Sequence, residues 1–216
     1  SSSDGTLKRW RWPTLEEEAS IDLRKLNGGA PLSLHAFHVD ATGRRAVVGS
    51  WNHLLLLVER AGERWQLQKL PLVSSGGYHV LDLPEVGLVL VQGTVPTRLY
   101  AWDWPARALY DIPDVGLDFF PFVADGSGAG ALAAGTGVVA HYRFGRDANG
   151  EPRWFAALGL ASDLGALSAA DLDAGRHRLW VADGSGRLLA LDSADWRLPP
   201  SHSGVAKRRS TLRAEP

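Results

Sequence analysis

Residues 32–59 read LSLHAFHVDATGRRAVVGSWNHLLLLVE, and this stretch decides the fold. Leu32 to Val39 alternates apolar with polar, which is the period of a half-buried strand. Asp40-Ala-Thr-Gly43 follows, with an acidic residue shortly before a glycine. Aspartate hydrogen-bonds its own backbone in such a turn, and glycine reaches positive φ without steric cost. Ala46 to Gly49 is a short apolar run closing on small residues. A second turn, Trp51-Asn52-His53, leads into Leu54–Val58, the most apolar run in the chain, whose length suits a buried strand rather than a helix. The pattern predicts an antiparallel meander.

The pattern recurs. Residues 78–103 read YHVLDLPEVGLVLVQGTVPTRLYAWD, residues 119–144 read FFPFVADGSGAGALAAGTGVVAHYRF, and residues 167–192 read LSAADLDAGRHRLWVADGSGRLLALD. The opening SSSDGTLKRW matches only the last part of the unit. Aligned on Ser1, Gly49, Gly93, Gly135 and Asp183, the units recur every 48, 44, 42 and 48 residues. A four-stranded propeller blade takes roughly 40–50 residues. The expectation is an all-β propeller of four-stranded antiparallel blades, with a partial blade at 1–12 and full blades near 32–72, 78–112, 119–158 and 167–198. Outer fourth strands are expected at 65–72, 108–112, 153–158 and near Trp196. Thr14–Leu26 reads differently: Pro13 before it, Glu16–Glu18 in its first turn and Asn27-Gly28-Gly29 after it are helix start and stop signals, predicting a short helix or structured loop. Ser201–Pro216 is basic and poor in apolar residues, so a disordered tail is expected.

Composition bounds the function. The 216 residues carry a formal net charge of −1, with no global basic field for nucleic acid. No apolar run approaches the ~20 residues of a membrane span, and no signal peptide opens the sequence. Cysteine is absent, which excludes disulfides and thiolate metal sites and fits an intracellular compartment, nuclear or cytoplasmic. Methionine is absent too, and the sequence starts in mid-motif. The expectation is a fragment of a larger propeller, with roughly two further blades upstream.

SSDGTLKRW and LYAWD resemble the WD-repeat family, in which a small-Asp-Gly turn precedes a strand ending in Trp-Asp. Trp102-Asp103 is the full match. Trp10 is followed by Arg11, the other units end in Val58-Glu59, Arg143-Phe144 and Leu191-Asp192, and the family's Gly-His dipeptide is missing. Its His–Ser/Thr–Asp–Trp network therefore has no counterpart here. From Ser1 to about Asp103 the order of motifs also resembles the non-catalytic WD-repeat subunit of the tRNA guanine-N7 methyltransferase, although this chain continues for two more blades. The resemblance implies a non-catalytic scaffold for protein–protein contacts, with a methyltransferase subunit as partner and RNA reached through that partner. Leu172–Asp192 resembles lactonase and quinoprotein-type propellers, which implies an alternative: an enzyme with a metal or cofactor held in a channel by carboxylates such as Asp82, Glu85, Asp173 and Asp183.

No HExxH, GxSxG, GxxxxGK or CxxC pattern occurs. The seven histidines read as structural or surface residues; His35 and His38 lie three apart in a strand and point to opposite faces. DGSG at 125–128 and at 183–186 falls on turns of the unit, so hairpin geometry accounts for it. The scaffold reading needs no cofactor, no metal and no catalytic residue. Partner-binding candidates are the rim-loop residues Trp51, Asn52, His53 and Arg98, because function in such scaffolds sits on loops and tryptophan is a frequent hot spot. Lys207, Arg208 and Arg209 are the candidates for RNA phosphates.

Overall fold

The computed structural model describes residues 4–50, 54–72, 75–95, 97–112, 122–135, 138–160, 167–173, 175–176, 178–192, 202–205 and 207–211. Each repeat unit folds as its own antiparallel sheet. The first comprises β3 (Leu34–Val39), β4 (Arg45–Ser50), β5 (Leu54–Ala61) and β6 (Arg64–Pro71), hydrogen-bonded in sequence order. The second comprises β7 (Ser75–Leu83), β8 (Leu88–Val95), β9 (Thr97–Asp103) and β10 (Ala108–Ile112); the third, β11 (Phe122–Ala124), β12 (Gly130–Gly135), β13 (Val138–Arg146) and β14 (Pro152–Leu160). In the fourth, β15 (Leu167–Asp173), β16 (Arg178–Asp183) and β17 (Leu188–Asp192) form three strands, and the fourth strand expected near Trp196 lies outside the described residues. The chain is thus an all-β repeat protein of propeller-type blades.

Expected and observed differ at both ends. Glu16–Glu18 do not open a helix. They belong to β2 (Glu16–Asp22), which pairs antiparallel with β1 (Thr6–Arg11). Their carboxylates face cations across the hairpin: Glu17 meets Lys8 at 2.8 Å, Glu18 meets Arg9 and Arg11 at 3.0 Å each, and Glu16 meets Arg11 at 3.3 Å. Opposite charges on neighbouring strands favour the hairpin, and the same acidic run imitates a helix start in the sequence. Only Leu23–Leu26, α1, is helical. Asp22 caps it by accepting from the Lys25 N–H at 2.8 Å, and Gly29, at φ 86°, closes it by donating to the Arg24 carbonyl at 2.9 Å.

The basic tail, expected to be disordered, carries β18 (His202–Val205) and β19 (Lys207–Thr211). β18 pairs with β14 and β19 with β10, so each becomes the fifth strand of a blade. An outer strand presents unpaired N–H and C=O groups to any extended segment, and backbone pairing of that kind does not require apolar side chains.

Two compact units divide the chain: Ser1–Val80 with Val91–Pro96, and Leu81–Leu90 with Thr97–Pro216. In the first, Leu7, Leu23, Leu32 and Leu34 join Ala46, Val48, Leu56 and Val58 in one core. Leu54–Val58 behaves as its composition demands. Leu55, Leu56, Leu57 and Val58 are all buried, so both faces of β5 are covered, each such side chain contributing about 1.5–3 kcal/mol. In the second unit, Leu88, Leu90, Tyr110, Tyr142 and Trp154 anchor a core shared by the second and third blades. Leu132, Val139, Leu179 and Val181 form another between the third and fourth.

Candidate binding surface

The carboxylates at the strand turns are the groups that would carry any chemistry. Asp40 closes the β3–β4 turn, accepting from the N–H groups of Arg44 and Arg45 at 3.0 and 3.1 Å and from the Thr42 hydroxyl at 2.8 Å. Burial works against its ionisation, but those donors outweigh burial and leave its pKa below the usual value. Asp125 does the same for the third blade. Its Oδ1 accepts from the Ser127 N–H at 2.8 Å and the Ser127 hydroxyl at 2.5 Å, while Oδ2 lies 2.8 Å from His141 Nε2 on β13. Burial raises the pKa of Asp125, and the bonds from His141 and Ser127 more than reverse this, to about 2. A Cβ on Gly130 would fall on the Asp125 carboxylate, so only glycine fits there.

Two further turns are built the same way. Asp183 accepts from Ser185 and Arg187, with the Ser185 hydroxyl the leading cause of a pKa well below the carboxylate range. Asp147 accepts from the N–H groups of Asn149 and Glu151 at 2.8 and 3.0 Å. Both DGSG segments are hairpin turns, as their positions in the repeat require: Gly126, Gly128 and Gly186 adopt positive φ.

Trp102-Asp103 has its own arrangement. Trp102 is fully buried and meets Trp104 edge-on, ring centroids 5.6 Å apart. The Asp103 side chain, 0% exposed, accepts from the Ala106 N–H at 3.0 Å and from Arg146 Nη1 at 2.6 Å. Arg146 also donates to the carbonyls of Gly150 at 2.8 Å and Val86 at 2.7 Å. One guanidinium thus ties the turn after β9 to the end of β13, linking the second and third blades.

Of the partner-binding candidates, Arg98 sits exposed near the start of β9. Trp51, Asn52 and His53 lie outside the described residues. Lys207 and Arg208 pair through their backbones with Asp111 and Tyr110, and Arg209 lies between them and Ser210 on β19. Of the carboxylates named for the alternative enzyme, Asp173 accepts from the Arg176 N–H, Asp183 holds Ser185 and Arg187, Glu85 is exposed in a turn and Asp82 is half-buried on β7. Among the described residues, no three histidines, cysteines or acids are gathered as a metal site would require, and no helix is long and apolar enough to cross a membrane.

A surface that the sequence reading did not single out lies in the first unit. Between the β1–β2 hairpin and the first blade is a cavity of about 390 Å³, walled by Leu7, Ile21, Phe37, Val39, Ala46 and Trp65. Arg9, Arg45 and Arg60 stand around it. Beyond it the hairpin tip exposes Trp12 at 82% and Leu15 at 61%. The alternation of Phe37 and Val39 in β3 was legible, but whether a neighbour covers that face was not. No protein-family model matches the chain, and no curated protein matches it in sequence.

Proposed function

We propose that this chain is a non-catalytic blade scaffold that binds another protein. The observation that carries the reading is a contrast between its carboxylates and its aromatics. The buried carboxylates Asp103, Asp125 and Asp183 are committed to turns and to blade–blade ties, where they act structurally. Large apolar side chains, by contrast, stand in water on the first unit: Trp10, Trp12, Leu15, Phe37 and Val39. Exposed large apolar side chains are a frequent signature of a partner site. Blades of this kind present rigid edges and rims on which such contacts are built.

The sharper form of the proposal is an accessory subunit of a tRNA guanine-N7 methyltransferase, with the catalytic partner holding the RNA. Its support is the WD-repeat-like order of motifs from Ser1 to Asp103. The test is titration of the purified chain with the methyltransferase catalytic subunit by calorimetry. A one-to-one complex tighter than about 10 µM is expected; no heat at that concentration removes the methyltransferase form. For the broader scaffold reading, affinity capture with the wild type is compared with capture by a Trp12→Ser, Phe37→Ser double variant. A stoichiometric partner lost in the variant is expected. No stoichiometric partner for the wild type overturns it.

A further inference from the structure

The tail strands join two different blades. One residue separates β18 from β19, yet β18 pairs antiparallel with β14, the last strand of the third blade, and β19 with β10, the last strand of the second. Residues 202–211 thus run along two blade edges in turn. Each contact is short, four register pairs on either edge, and the β10 side is interrupted by a register shift between Leu109 and Tyr110. Contacts this short belong to the part of a fold that opens first.

The register shows what these edges accept. On β14, Trp154 pairs with Gly204 and Phe155 with Ser203, so the two aromatic positions meet the two smallest residues of β18. On β10, Asp111 pairs with Lys207. Opposite charges at paired positions favour antiparallel strands.

From this pairing, and resting on the scaffold reading above, we infer that the outer edges of β10 and β14 are a strand-docking site for a partner segment of the tail's own chemistry. That segment carries small residues followed three or four positions later by a cation, and residues 202–211 hold the site in cis against it. Strand addition derives affinity from main-chain hydrogen bonds, which any extended segment supplies, and specificity from the side chains along it. The tail is therefore a stand-in that a partner displaces, and displacement frees both edges at once. A cis segment at ~1 mM effective concentration, against an intrinsic Kd of ~10–100 µM, leaves the edges open about 1–10% of the time, so a competitor binds ~10–100-fold more weakly than to open edges.

The test uses the full chain, wild type and S203P/G204P/R208P/R209P, with a fluorescein-labelled peptide of residues 202–211 read by anisotropy. Proline lacks an N–H, and two consecutive prolines break the ladder whichever of the two N–H groups faces the blade. The peptide is expected to bind the proline variant with a Kd of ~10–100 µM and the wild type at least ~10-fold more weakly. A peptide carrying Lys207→Glu should bind the proline variant ~2–5-fold more weakly, and adding Asp111→Lys should reverse that preference. Asp111 is half-buried, and the same reversal in Asp111→Lys alone covers the case in which the prolines unfold the chain. Equal binding to wild type and a folded proline variant, or undiminished binding of a peptide N-methylated at two consecutive amides, overturns the inference. So does concentration-dependent association of the wild type that the prolines abolish, which makes a second copy the occupant. The partner of the scaffold reading should be retained more by the proline variant; equal retention sinks this inference and leaves the scaffold reading standing.

Discussion

Replacing Arg146 with Ala should weaken the second unit more than any other single change on its surface. The Asp103 side chain is fully buried and has two hydrogen-bond donors, the Ala106 N–H and Arg146 Nη1. Without the guanidinium, one buried carboxylate oxygen loses its partner, and the carbonyls of Val86 and Gly150 lose theirs. Removing one member of a buried ion pair costs about 3–5 kcal/mol, because an uncompensated charge remains. The Arg146 side chain is 28% exposed, so water reaches part of the vacated volume, and the low end, about 3 kcal/mol, applies. At ~2–4 °C per kcal/mol for a chain of this size, the melting midpoint should fall by about 6–12 °C. The assay is thermal unfolding by circular dichroism, with tryptophan fluorescence as a second probe. Arg153→Ala is the control: its pair with Asp147 spans 3.9 Å at a half-exposed side chain, and exposed pairs contribute ~0–1 kcal/mol. Asp103→Asn added to Arg146→Ala should recover part of the loss by removing the stranded charge. The reasoning is refuted if Arg146→Ala costs no more than Arg153→Ala, or if the double variant is as unstable as the sum of the two single ones.

Asp125 sets an acid limb. Its pKa is lowered to about 2 in the fold from an ordinary 3.8, so its stabilisation is present above pH ~4 and is lost as pH falls toward 2, amounting to about 2 kcal/mol at most; Asp125→Asn should flatten the urea midpoint over that range, and an unchanged acid limb would count against the His141–Asp125 bond. Gly130→Ala places a methyl group on the Asp125 carboxylate and should cost about 1–3 kcal/mol, whereas Gly145→Ala meets nothing within 4 Å and should change the unfolding midpoint by less than about 0.5 kcal/mol. Truncation before Ser201 uncovers the outer edges of β10 and β14, and light scattering should report faster aggregation, as open strand edges promote; equal aggregation rates would argue that β18 and β19 do not cap those edges.

The repeat was legible because each blade states it locally. Asp40 to Gly43, Glu85 to Gly87 and Asp125 to Gly126 mark turns by side-chain chemistry, and Leu54–Val58 marks a strand buried on both faces. What stayed hidden depends on partners far away in sequence. Glu16–Glu18 carry the composition of a helix start, and only the opposing Lys8, Arg9 and Arg11 reveal a strand. Arg146 meets Asp103 across 43 positions, a separation that no local pattern encodes. The tail strands β18 and β19 pair with the outer strands of two blades, and their polar, basic composition carries no strand signal in the sequence.

Pairing within units, in the observed register, is the premise of the whole account. A chain without cysteine permits a direct test by paired cysteines. Glu59 and Gln66 face each other across β5 and β6, and Arg143 and Phe155 across β13 and β14. Under mild oxidation E59C/Q66C and R143C/F155C should each close to an internal disulfide nearly completely, while the mixed pair E59C/F155C stays reduced. Rapid closure of the mixed pair, with either within-blade pair left open, would mean that strands pair across distant units, and the blade architecture would be wrong.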